Sequence, residues 1–136
     1  MIKDIEQPKV ENVAVAVVQE ENKDGGLEWN VYLVNMQDKV IEGVLVSSRG
    51  YGENKSTGGK IETSTLRHFL KDVEPKSFIK IEPIMENVFG LNNEYWVSFF
   101  QNSKMYDKKF IFLPETINES NFRNIPILKK QGILIG

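Results

Sequence analysis

The chain has 136 residues, of which 40% are hydrophobic and 26% are charged, and its formal net charge is -2. This length predicts a single domain over residues 1–136, and the near balance of charge argues against a dedicated nucleic-acid-binding protein, which is usually strongly basic. The sequence has no cysteine, which excludes disulfides, thiolate metal sites and cysteine nucleophiles.

The N-terminal segment lacks the pattern of a targeting sequence. Acidic residues and Pro8 precede the apolar run 13–18. That run is shorter than the apolar core of a secretory signal and much shorter than the about 20 residues of a membrane span. We therefore expect a cytoplasmic protein with no membrane partner.

The first predicted element is a β-hairpin. Residues 10–19 and 28–36 are apolar-rich runs with Asp24 and Gly25 between them, and Asp-Gly in this position is a strong hairpin signal. The side chains predicted to point inward from the second strand are those of Trp29, Val31 and Leu33.

A third strand is predicted at 40–48, where Gly43 would mark a bulge and the strand would complete a meander. The glycine-rich segment 50–60 follows. It lacks the P-loop pattern because Asn54 precedes Lys55, and it lacks the dinucleotide pattern because Lys55 replaces the third glycine. A flexible surface loop is the favoured interpretation.

Residues 64–72 are predicted to form a short amphipathic helix, with Thr63 or Ser64 as its cap and Pro75 as its stop. The Thr-Ser-Thr run at 63–65 leaves a strand as the alternative. The apolar residues that recur with helical spacing are Leu66, Phe69, Leu70 and Val73.

His68 is the only histidine in the sequence. In a helix it would share one exposed face with Ser64 and Asp72, but three residues along one face do not oppose a nucleophile and its base across a cleft. A metal site would require further His or Cys ligands. We therefore expect an exposed histidine, and we assign no catalytic, metal-binding or cofactor-binding residue.

A strand is predicted at 78–85 and a second hairpin at 92–114. The first strand of this hairpin is apolar on both faces, with Tyr95, Val97 and Phe99 on one face. The other face holds Trp96, Ser98 and Phe100. This pattern indicates either a central strand covered on both sides, which we favour, or one face kept exposed for a partner.

The C-terminal part is predicted to contain a short helix or single turn at 117–124, because Thr116 and Glu119 have capping-box spacing, and a final strand at 132–135. The predicted fold is mainly β, with about seven antiparallel strands. They would form a curled sheet or partly open barrel carrying one or two short helices.

Three segments carry a resemblance to a known family: LNNEYWVSFFQNSKMYDKKFIFLPETINE, STLRHFL and KSFIKIE. They resemble a family of short bacterial proteins that often carry the label phenylalanyl-tRNA synthetase alpha subunit, and the resemblance extends over most of the chain from about Val13. The label implies aminoacylation. A class II synthetase core is much larger, however, and the three arginines Arg49, Arg67 and Arg123 form no ATP-binding signature. No catalytic residue is carried over.

Three functions remain open. The favoured one is a non-catalytic module that binds itself, as a homodimer, or another protein through exposed aromatic residues and a sheet edge. Its predicted surface comprises Tyr32, Tyr51, Tyr95 and Tyr106.

The alternatives are an RNA- or tRNA-associated domain and a small ligand-binding barrel or enzyme. Residues 101–136 hold six Lys/Arg against three Asp/Glu, which gives the first alternative a basic surface. That surface would comprise Lys104, Lys108, Lys109, Arg123, Lys129 and Lys130. The second alternative uses the 50–60 loop as a lid over a pocket containing Arg67 or His68.

Overall fold

Ten β-strands divided between two antiparallel sheets make up the computed structural model, which describes residues 8–136. The strands are β1 (Val13–Glu21), β2 (Leu27–Asn35), β3 (Ile41–Glu53), β4 (Lys60–Glu62), β5 (Leu66–Val73), β6 (Ser77–Ile84), β7 (Asn92–Gln101), β8 (Lys104–Phe112), β9 (Arg123–Ile125) and β10 (Lys130–Ile135). Single 3-10 turns lie at Glu86–Val88 and Glu119–Asn121.

Sheet A has the strand order β6-β2-β1-β10-β9. Sheet B has the order β4-β3-β7-β8, and β5 pairs with β3 along the same edge as β4. The predicted mainly β, antiparallel fold is confirmed. Among the described residues the strands form two sheets and no closed barrel. The predicted leader before Pro8 lies outside the described residues.

The helix predicted at 64–72 is wrong, because this segment is strand β5. Its backbone pairs with β3 from Leu45 opposite Phe69 to Ser48 opposite Leu66. The apolar residues with helical spacing do not share a buried face, since Leu66 and Phe69 are exposed while Val73 is buried. Hydrogen bonding to a strand distant in sequence therefore overrides the local pattern.

Of the short helix or single turn predicted at 117–124, the structure contains the single turn, a 3-10 turn at Glu119–Asn121. Its cap is Asn118, whose side chain accepts a hydrogen bond from the Ser120 amide, rather than the predicted Thr116. The segment turns at once into β9, which adds the edge strand of sheet A.

The first hairpin is confirmed, but the predicted meander is wrong, because β3 leaves sheet A and joins sheet B. The second neighbour of β2 is β6. Gly43 does mark an irregularity, with φ of +56° and a shift of register between Ile41 and Val44. Strand β3 continues to Glu53, so the predicted glycine-rich loop is confined to 54–59.

The main core joins the facing sides of the two sheets. Sheet A contributes the predicted inward residues Trp29, Val31 and Leu33, and sheet B contributes Tyr95 and Phe99 among others. A smaller core lies on the other side of sheet A, where Ala16, Val18 and Val34 cluster with Ile125 and Leu128. Within residues 8–136, no helix has the length and apolar character that crossing a membrane requires.

Candidate functional site

The outer side of sheet B carries large apolar residues from four adjacent strands. Residues that pair directly across antiparallel strands point to the same side. Leu45 on β3 lies opposite Phe69 on β5, and Phe100 on β7 lies opposite Met105 on β8. Trp96 shares this side with Phe100 because alternate residues of a strand face the same way. We call these five residues the outer apolar face.

All five side chains of the outer apolar face are substantially exposed. Their exposed fractions are 41% for Leu45, 65% for Phe69, 44% for Trp96, 49% for Phe100 and 54% for Met105. The prediction that β7 is covered on both faces is therefore wrong, since only the side bearing Tyr95, Val97 and Phe99 is buried. An apolar sheet face of this kind typically marks an interaction site.

A shallow groove of about 190 Å³ crosses the outer apolar face. Leu45, Trp96 and Met105 line it together with the small residues Ser47 and Ser98. Small side chains between large ones leave a depression, and its size suits an inserted apolar side chain.

Charges of both signs border the outer apolar face. The Lys109 ammonium lies 4.6 Å from the centre of the Trp96 ring, a cation–π contact. Asp107 pairs with Ser98 across β7 and β8, and Arg67 pairs with Ser47 across β3 and β5, so both belong to this side. The border is therefore mixed in charge.

A second feature lies on the inner side, where a bulge in β6 turns Glu82 toward sheet B. Ile79 pairs with Leu33 and points inward, so regular alternation would place Ile81 inward and Glu82 outward. The register shifts, however, and Glu82 pairs with Val31, whose side chain lies in the main core. The extra residue thus sends both Ile81 and Glu82 inward, as bulges commonly redirect side chains.

Three strands of sheet B supply hydrogen bonds to the Glu82 carboxylate. Its Oε1 accepts from Ser48 Oγ at 2.8 Å and lies 2.7 Å from His68 Nε2. Its Oε2 accepts from the Tyr95 hydroxyl at 3.1 Å. We call these four residues the Glu82 cluster. The prediction of an exposed histidine is corrected, since the His68 side chain is only 28% exposed and is bonded to Glu82.

Burial governs the ionisation of Tyr95 in the Glu82 cluster. Loss of solvent raises the pKa of the Tyr95 hydroxyl far above its ordinary value, and the nearby negative charge of Glu82 raises it further. Tyr95 therefore remains a neutral hydrogen-bond donor.

Ser64, His68 and Asp72 do not share one face as they would in a helix, because Asp72 instead accepts a hydrogen bond from the Gly43 amide at 2.9 Å.

A cavity of about 230 Å³ adjoins the Glu82 cluster and is lined by Ser48, Glu82 and Tyr95. Thr63 and Leu66 lie at the same cavity. In the described part of the chain, no group of three or more His, Asp or Glu residues is arranged to hold a metal ion.

A wider cleft of about 640 Å³ lies beside the 54–59 loop. The predicted lid pocket is corrected, since this cleft is lined by neither His68 nor Arg67. Three basic and three acidic residues line it, so the lining has no net charge that would attract anions over cations or the reverse. They are Arg49, Lys55, Lys60, Glu53, Glu62 and Glu115. Arg49 is already bonded to Glu94 at 3.1 Å and lies over the Tyr51 ring.

The four tyrosines predicted as an interaction surface do not form one exposed patch. Tyr95 is only 2% exposed and belongs to the core. Tyr32 lies on sheet A, where it bonds to Glu20, whereas Tyr51 is on β3 and Tyr106 stacks on Phe99. Successive side chains of β7 point to opposite sides of sheet B, so Trp96 is exposed while its neighbour Tyr95 is buried.

The six residues of the predicted basic surface are also separated. Lys104, Lys108 and Lys109 are on β8 of sheet B, whereas Arg123 and Lys130 are on β9 and β10 of sheet A and Lys129 directly precedes β10. Lys108 and Lys109 lie over rings on opposite sides of sheet B, those of Phe110 and Trp96. Lys130 is paired with Glu20. These cations therefore do not gather on one face.

Sequence reasoning missed Glu82, although a signal for it was present. Ile79 and Ile81 alternate with period two, but the next buried apolar residue is Ile84, an odd number of positions later. Such a change of phase within a strand indicates a bulge.

Comparison of the chain with family models, curated proteins and solved structures gave no match. The family resemblance and the cytoplasmic location stay predictions.

Proposed function

We propose that this chain is a non-catalytic interaction module that self-associates through the outer apolar face. The observation that carries the proposal is the exposure of five large apolar side chains on one side of sheet B, while the opposite side of the same strands is buried. Removing such a surface from water is the main driving force for protein association.

The dimensions of this face support an interface. Strand β7 has ten residues, and a rise of about 3.4 Å per residue makes it roughly 34 Å long. Neighbouring strands lie about 4.8 Å apart, so four strands span roughly 15–20 Å. The outer side of these four strands as a whole is therefore on the order of 600 Å², which approaches the about 800 Å² per partner of a standard protein interface, and the outer apolar face lies in its part around Trp96 and Phe100.

The charges around the face favour a second copy of this chain over a strongly charged partner. Arg67 lies on β5 at one edge of sheet B, and Asp107 lies on β8 at the other edge. A two-fold axis running along the strands brings the β5 edge of each copy over the β8 edge of the other. Each β5 edge, which carries Arg67, then faces the second copy's β8 edge, which carries both Asp107 and Lys109, so borders of mixed charge meet.

The geometry favours packing by faces over pairing by strand edges. Strand β8 is one edge of sheet B, and it carries three lysines, Lys104, Lys108 and Lys109. Lysines on an edge strand are a common protection against edge-to-edge pairing. The groove beside Trp96 instead offers each copy a place to insert an apolar side chain, and Phe69 is the most exposed candidate.

The test is light scattering with sedimentation of the wild type and two variants, at low and high salt. We expect a wild-type dimer that persists at high salt, because apolar contacts are not screened. Phe69→Asp should weaken the dimer by about 2 kcal/mol or more, roughly 30-fold in its dissociation constant. The matched control is Phe78→Asp, a partly exposed phenylalanine on the outer side of sheet A, which should leave the dimer intact.

Two results would overturn the proposal. One is a monomeric wild type at every concentration that stays in solution. The other is a dimer that both variants weaken equally. Light scattering of the protein mixed with bulk tRNA tests the nucleic-acid alternative. A monomer that binds tRNA only at low salt would favour that function instead.

A further inference from the structure

We propose that the cavity beside Glu82 binds a small organic cation, a primary amine or amidine attached to a short apolar body. This site is on the inner side of the sheets and does not depend on the outer apolar face. Its failure and the failure of self-association are therefore distinguishable.

The two oxygens of the Glu82 carboxylate differ in their number of hydrogen-bond partners. A carboxylate oxygen has two lone pairs, each able to accept a hydrogen bond. Oε1 of Glu82 is engaged by Ser48 and His68, whereas Oε2 has Tyr95 as its one partner among the described residues. Ser48, Glu82 and Tyr95 line the cavity, and His68 does not. A donor that enters the cavity therefore meets Glu82, whose Oε2 has the fewer hydrogen-bond partners of the two oxygens.

The charge of the ligand follows from the surroundings of Glu82. Its side chain is only 12% exposed, and a carboxylate removed from water is stabilised most by a charge-assisted hydrogen bond. Ser48 and Tyr95 are neutral donors. The cationic residue that lines the cavity is Arg49, and its guanidinium is already bonded to Glu94. His68 bonds to Oε1 and is not among the residues that line the cavity.

The apolar body follows from the walls of the cavity. Leu66, Ile84, Met85 and Val88 line it, and Leu66 and Met85 are 51% and 69% exposed. Pockets with apolar walls and a few convergent polar groups are typical of small-molecule sites. The volume of about 230 Å³ is below the range for drug-sized ligands, which restricts the ligand to a short chain or a single ring.

The experiment is NMR titration of the labelled protein with benzylamine and, in parallel, with its neutral isostere benzyl alcohol. We expect saturable shifts of backbone amides around Ser48, Glu82 and Tyr95 with benzylamine, and binding at least about tenfold weaker with the alcohol.

Two substitutions test the site in different ways. Glu82→Gln keeps the shape of the side chain and should weaken benzylamine binding at least about tenfold. Leu66→Trp narrows the cavity from its exposed wall, leaves the carboxylate intact and should weaken the binding of both probes. It provides the test if Glu82→Gln does not fold. Leu27→Trp is the matched control at an exposed leucine of β2 that does not line the cavity.

The proposal is overturned if no saturable shift occurs near the Glu82 cluster. It is also overturned if the alcohol binds as well as the amine, or if folded Glu82→Gln retains wild-type affinity for benzylamine.

Discussion

His68 on sheet B and Glu82 on sheet A connect the two sheets through a hydrogen bond of 2.7 Å between Nε2 and Oε1. These residues lie on β5 and β6, which follow each other in the chain but belong to different sheets. The same carboxylate also accepts from Ser48 and Tyr95, so one side chain of sheet A bonds to three strands of sheet B.

Glu82→Ala should lower the free energy of unfolding by about 3 kcal/mol or more, because it leaves two buried hydroxyls without their acceptor. Adding Tyr95→Phe to that variant removes one of these unpaired groups and should cost less than Tyr95→Phe alone in the wild type. Urea unfolding of the four proteins measures the difference. Strictly additive losses would show that Tyr95 and Glu82 are not coupled.

Gly132→Ala should be among the most destabilising substitutions in the chain. A Cβ at Gly132 would overlap the Val17 carbonyl oxygen and would lie 2.8 Å from Val18 Cγ1. Both contacts require β1 and β10 to move apart, at a cost of about 3 kcal/mol in thermal or urea unfolding.

Gly25→Ala is the comparison for this prediction. Gly25 has φ of +80° but no atom within 4 Å of an added Cβ, so the cost should be limited to backbone strain of about 1 kcal/mol. Equal losses for the two variants would contradict the role assigned to the contact at Gly132.

Ser103→Gly should stabilise the protein by about 0.5–1 kcal/mol in urea unfolding. Asn102 and Ser103 form the two-residue loop between β7 and β8, and both have positive φ, at 50° and 62°. This is the geometry of a type I′ turn, for which Asn-Gly is the preferred pair. Relief of strain at Ser103 should exceed the added entropy of glycine in the unfolded chain. Ser103→Ala serves as the control and should give no gain, because alanine keeps the strained Cβ.

Protein stability should fall in acid partly through Glu20. Burial opposes ionisation of this carboxyl, but hydrogen bonds from its neighbours outweigh burial and hold the pKa below its ordinary value of 4.5. The donors are Lys130, Tyr32 and Asn30. The unfolded state therefore binds a proton more readily than the folded state does. The stabilisation is complete above pH 4.5 and is lost as the pH falls through the lower folded-state pKa.

Glu20→Gln should remove this contribution, on the order of 1–2 kcal/mol near neutral pH. The difference between wild type and variant should shrink as urea unfolding is repeated at decreasing pH. Glu21→Gln, at the neighbouring exposed carboxylate, is the control and should leave the pH dependence unchanged. A constant difference across the pH series would show that Glu20 does not titrate with the predicted shift.

Local pattern was sufficient to predict the strands whose partners adjoin them in sequence. The turns at Asp24-Gly25 and between β7 and β8 lie between alternating apolar runs, and both hairpins are confirmed. The inward positions Trp29, Val31 and Leu33 follow from the same alternation.

Features that depend on distant partners were not predictable from local pattern. The apolar residues of β5 have a spacing that fits a helix, but pairing with β3 makes this segment a strand. No local property of 40–48 indicates that β3 joins sheet B. The Glu82 cluster requires both the bulge in β6 and the position of sheet B opposite it. The outer apolar face could be predicted as apolar, but its exposure depends on the absence of a covering element among residues 8–136.

The pairing of β1 with β10 has a consequence for synthesis on the ribosome. Val15 lies opposite Ile135 and Val18 lies opposite Gly132, so the central strand of sheet A has a neighbour more than a hundred residues later in the chain. The β1–β2 hairpin emerges early with both faces of β1 apolar and one edge unpaired. Sheet A can close only after residues 130–135 have left the exit tunnel. We therefore expect the β10-facing edge of β1 to stay unpaired until β10 has been synthesised, and such an edge is prone to aggregation.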